Sequence, residues 1–151
     1  MAWDKIVKWL AGIAGAIAGL LGEWDVMLTV LACLMVIDYL TGLAVAARGK
    51  SPKSDSGKVS SKAGFDGLIR KGFIWAMVLV AALLDAALGN ANHVFRLAAA
   101  TYYTANEGIS ILENTALMGV PYPAFILKSL EAMREANDKG NDHPPDKGKN
   151  E

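Results

Sequence analysis

From Trp24 to Ala47 the chain reads WDVMLTVLACLMVIDYLTGLAVAA, and in these 24 residues only Asp25 and Asp38 carry a charge. A helix of that length, at about 1.5 Å per residue, covers a hydrocarbon core of about 30 Å, with Trp24 suited to one interface and Arg48 to the other. The remaining charges are segregated in the same sense. Residues 48–72 hold seven Lys/Arg against two Asp, a net +5, and most of the other charges lie from residue 128 onward, although the whole chain has formal net charge zero. Segregation of this kind, more than average hydropathy, marks a membrane protein.

Three further stretches compete for the bilayer. FIWAMVLVAALLDAALG (73–89) has 17 residues, the short limit for a span, which Arg70 and Lys71 extend if they snorkel toward the headgroups. VFRLAAATYYTANEGISILENTALM (94–118) is long enough but polar. IVKWLAGIAGAIAGLLG (6–22) is apolar, short and rich in Gly and Ala. The expected fold is therefore all-α, an integral membrane helical bundle. It has three spans plus an N-terminal helix that either makes a fourth span or lies at the interface.

The basic loop 48–72 is expected to stay in the cytoplasm. That choice sends the turn NANH (90–93) outside and leaves the C-terminus cytoplasmic. The organisation read from the chain is an N-terminal Gly-rich helix (1–23), a transmembrane core (24–118), a cytoplasmic amphipathic helix (119–137) and a polar, Pro/Gly-rich tail (138–151) expected to be disordered. Pro121 and Pro123 in GVPYP separate the core from the amphipathic helix, because the residue before a proline is pushed out of helical geometry.

The polar span raises the functional question. At 100° per residue Arg96, Tyr103, Glu107, Ser110 and Asn114 share one face, with Asn106 and Glu113 on its shoulder. An ionised carboxylate at the bilayer centre costs about 2.5–3.5 kcal/mol on insertion scales. Asp38 and Glu107 both lie near mid-span, and no Lys or Arg is expected at their depth. Each must then be protonated, hydrogen-bonded to groups such as Thr41, Thr104 or Asn106, or wetted. Asp85 and Arg96 flank the exterior turn and are expected to pair as a hairpin clamp. Asp38, Asp85, Arg96, Glu107, Ser110, Glu113 and Asn114 are thus the candidate oligomer seam or pore wall. Gly12, Gly15, Gly19 and Gly22 form a small-residue stripe for helix packing, within one chain or between chains.

Catalysis finds little footing. GKS (49–51) is a fragment of a phosphate-binding loop with Ala44 where its first Gly belongs. His93 and His143 meet no metal-ligand spacing, Glu107 and Glu113 point about 120° apart, and Cys33 sits alone in an apolar run. No enzyme, cofactor, metal or nucleic-acid partner is expected.

VIDYLTGLAVAA, the SSKAGFDGLIRKG segment before a span ending LLD, and NEGISILENTALMGVPYP followed by LKSLEAM together resemble the phage lysis holins of the group that includes the clostridial toxin-secretion holins. The resemblance covers about residues 20–135, and its last block is the most specific. It implies a multi-pass protein of the bacterial host inner membrane that accumulates, forms a homo-oligomer and opens a lesion. The functional partner is then a cell-wall hydrolase without stable binding, and an antiholin is a second partner the family admits. Two readings from other classes compete: a small oligomeric ion channel or transporter subunit, which would also place carboxylates mid-membrane, and a membrane-anchored scaffold using the basic loop.

Overall fold

The computed structural model describes residues 2–22, 24–53 and 57–138. These form helices α1 (Ala2–Leu21), α2 (Val26–Ala47), α3 (Ser61–Ala87), α4 (Val94–Leu117) and α5 (Ala124–Asp138), with no strand among the described residues. Residues 139–151, most of the expected tail, lie outside them.

Local sequence sets the helix boundaries. Asp25 caps α2, its Oδ1 accepting the Leu28 N–H at 2.9 Å, and the Ser60 hydroxyl accepts the Ala63 N–H at 3.4 Å to start α3. Helices α3 and α4 each stop two residues before a glycine in the left-handed region, Gly89 (φ 65°) and Gly119 (φ 80°), where a side chain would be strained.

Helix α3 corrects the sequence reading of a span confined to 73–89. It begins twelve residues earlier, at Ser61, because Ser60 supplies a cap and the polar SKAGFDGLIRK segment continues the helix. Lys71 consequently lies ten residues inside α3, about 15 Å from its start, and is not an end residue free to snorkel.

Two ends of the bundle can be named without reference to a membrane. At the turn end meet Gly22, Trp24, Asp25 and the α3–α4 turn; at the loop end lie residues 48–53 after α2 and the Gly119–Pro123 connection. Helix α4 packs against α2, α3 and α5. Between the turn end and the middle lies an apolar core: Leu28, Leu31 and Met35 of α2, Ile74 and Val78 of α3, and Ala100 of α4, with Leu21 of α1. Helix α5 folds back along α4 and seats Leu130 on Gly108.

Helices α2 and α3 are long and apolar enough to cross a membrane. Their outward faces carry large exposed hydrophobics such as Leu40, Phe73 and Met77. Helix α1 is nearly bare: its residues 3–20 are exposed, and only its last turn docks, with Leu21 buried against the turn end.

Candidate functional site: a buried ion cluster between three helices

The polar face of α4 is turned into the chain's own bundle. Glu107 and Asn114 are buried against α2 and α3, where α3 delivers Lys71. The Lys71 ammonium donates to Asp38 Oδ2 at 2.9 Å and also to Glu107 Oε2. The other oxygen of Asp38 accepts from Asn114 Nδ2 at 3.2 Å, and the same amide nitrogen donates to Thr41 Oγ1 at 3.0 Å. Thr41 in turn donates to the Asp38 carbonyl. One side chain from each of three helices thus joins in a single ionic knot, extended by Asn114 and Thr41.

This corrects the expectation that Asp38 and Glu107 lack an ionic partner. The reason lies in the start of α3: with the helix beginning at Ser61, Lys71 comes level with both carboxylates. The missed residue had a signal. Lys71, Ile74, Val78 and Asp85 share one α3 face, and the last three are buried, so helical periodicity places Lys71 inward once α3 is allowed to extend.

Bringing these charges out of water is expensive, and their mutual attraction offsets that cost only when the remaining lone pairs and protons are also satisfied. The condition is met: among the described residues no buried side-chain nitrogen or oxygen lacks a hydrogen-bond partner. Two carboxylates nevertheless share one ammonium, so the knot is balanced against repulsion rather than saturated.

A second polar centre closes the turn end. Asp85, 1% exposed, accepts from the backbone N–H groups of Phe95 (3.1 Å) and Arg96 (2.8 Å) and from Asn90 Nδ2 (2.9 Å). His93, the N-cap of α4, is left-handed (φ 50°) and makes no capping bond of its own. Asp85 therefore caps α4 from another helix, where an anion also meets the positive end of the helix dipole. The expected Asp85–Arg96 contact exists through the Arg96 backbone. The Arg96 guanidinium turns instead to Asp25 Oδ2 (2.8 Å) and the Leu21 carbonyl, tying α4 to α1 and α2.

The other expected site residues fall elsewhere. Ser110 is half-buried and lines a groove between α2, α3 and α4, whereas Glu113 is exposed and outside the cluster. A Cβ on Gly12, Gly15 or Gly19 would meet nothing within 4 Å among the described residues, so the space beside these glycines is open; Gly22 (φ 80°) faces the Arg96 guanidinium. Asp25 was not singled out from sequence, since capping an adjacent helix is a common surface role.

Compared with known proteins, residues 15–135 match the bacteriophage holin family. A probable holin of Bacillus phage phi105 is 34% identical over 106 residues, covering 70% of this chain and 73% of that protein. An uncharacterized protein of Clostridium perfringens is 38% identical over 120 residues (80% of this chain, 82% of its own length). One from Listeria monocytogenes is 39% identical over 134 residues (88% and 89%). No solved structure matches the chain.

Proposed function

Because the chain belongs to the bacteriophage holin family, a non-enzymatic family of membrane pore-formers, we propose that it oligomerises in the host inner membrane and opens the lesion through which a cell-wall hydrolase escapes. In this reading α2, α3 and α4 cross the bilayer with the loop end in the cytoplasm, and the C-terminus lies on the same side. The basic residues Arg48, Lys50, Lys53 and Lys58 between α2 and α3 support that orientation.

The observation that carries the reading is the inward-turned polar face of α4. A single copy hides Asp38, Glu107 and Asn114 among its own helices, while the outward faces of α2 and of α3 from Gly72 onward are apolar. Such a protomer can accumulate in lipid without perturbing it. When copies crowd together, exchange of contacts within chains for contacts between chains exposes those polar faces to a common aqueous lumen. The hydrolase then needs no binding site on the protein, only a hole. The open glycine side of α1 fits close approach of a second copy.

The test is induced expression in a bacterium. A delayed, abrupt loss of viability with release of a cytoplasmic protein is expected. Ion flux without protein release would make the chain a channel subunit, and neither effect would leave a membrane-anchored scaffold.

A further inference from the structure

The two halves of the bundle differ in kind. From the middle toward the turn end the interior is the apolar layer of Leu31, Met35, Val78 and Ala100, each at most 4% exposed. From the middle toward the loop end, α2 and α3 part and leave a cavity of about 580 Å³ over α4. Lys53 and Lys58 stand at its mouth, Ser110 and Asn106 on its wall, and Asp38, Lys71 and Glu107 at its floor. Along α3 it reaches from Ala63 to Ile74, about 16 Å at 1.5 Å per residue.

We propose that this cavity is a water-filled half-channel present in every resting protomer, open at the loop end and sealed at the turn end by the apolar layer. Lipid tails are poor occupants, because Asn106, Ser110, Asp66 and Arg70 would face them without hydrogen-bond partners. Water satisfies these groups, and the volume holds on the order of twenty molecules at about 30 Å³ each. The ion cluster then sits at the boundary between the aqueous mouth and the dry seal. Small hydrophilic solutes reach it from one side of the membrane before any lesion exists. The proposal rests on the reading of α2, α3 and α4 as spans, and it does not depend on lysis.

The experiment uses the full-length protein with Cys33→Ala, in membranes from cells harvested before lysis. Single cysteines are introduced as Ser110→Cys on the wall, Lys53→Cys at the mouth and Ala98→Cys on the exposed side of α4. Each is treated with a charged, membrane-impermeant methanethiosulfonate in inverted and in right-side-out vesicles. Expected is full modification of Ser110→Cys from the one face that modifies Lys53→Cys, none from the opposite face, and none of Ala98→Cys from either. Asn106→Cys replaces Ser110→Cys if that variant does not accumulate. An unreactive wall beside a reactive mouth overturns the proposal, as does modification of the wall from both faces. Reaction of Ala98→Cys as complete as that of Lys53→Cys overturns the membrane-spanning reading itself.

Discussion

Leu130 of α5 rests in the notch that Gly108 leaves in α4: a Cβ built on Gly108 would come within 2.9 Å of both Leu130 methyl carbons. Gly108 follows Glu107 directly, about 100° further round the helix, so α5 reaches the level of the ion cluster and covers an adjoining side of α4.

Gly108→Ala sets two effects against each other. Alanine gains up to about 1 kcal/mol in helix propensity, and overpacking costs about 1–3 kcal/mol. The Leu130 methyls are the mobile end of a side chain, which puts the cost near the low end. Global stability is therefore expected to change little while α5 loosens. Limited proteolysis should cut α5 faster in Gly108→Ala, and also in Leu130→Ala, which removes the same contact from the α5 side. Equal cleavage of all three proteins would mean that the notch does not hold α5.

Asp85 supplies the missing cap of α4. Asp85→Ala strands two backbone N–H groups and is expected to destabilise by about 2–5 kcal/mol, read as a lower unfolding temperature of the detergent-purified protein. Asp85→Asn keeps one acceptor oxygen and should lose less than half as much. In double-mutant cycles, Asp25→Asn with Arg96→Gln should show the larger coupling, because that carboxylate holds the guanidinium at 2.8 Å. A larger coupling between Asp85→Asn and Arg96→Gln would restore the side-chain clamp expected from sequence.

How far the sequence reached can be judged from these residues. The helices, the apolar stretches and the shared polar face of Glu107 and Asn114 were legible, because 3.6-residue periodicity and the cost of charge in lipid both act locally. The partner of the two carboxylates was not. Lys71 stands in a segment that reads as a basic loop, and its inward direction follows from a helix start fixed by Ser60. Asp85 and Arg96 were correctly brought to one turn, but which atoms meet depends on His93 leaving α4 uncapped, a backbone conformation no composition signals. The glycine face of α1 was legible as a stripe, yet among the described residues the space beside Gly12, Gly15 and Gly19 is open.

The apolar layer offers a third test. Val78 is fully buried, and Val78→Thr places a hydroxyl there at nearly constant volume; a hydroxyl without a partner costs about 1–3 kcal/mol. If this layer seals the resting protomer, the variant should lyse earlier than the parent at equal protein level. Val80→Thr, on the exposed side of the same helix, should keep parental timing. Identical timing in both variants would remove the sealing role from the layer.

The ionic knot of Asp38, Lys71 and Glu107 is proposed to hold the resting state, and onset of lysis at matched protein levels measures that role most directly. Lys71→Met leaves two buried carboxylates facing each other, a loss of about 3–5 kcal/mol when one member of a buried ionic group is removed. Glu107→Gln leaves a neutral Asp38–Lys71 pair and is far milder in charge terms. Lysis is expected to come markedly early in Lys71→Met, to shift less in Glu107→Gln, and to return toward parental timing when Lys71→Met is combined with Glu107→Gln. Parental timing and normal accumulation in Lys71→Met would contradict it.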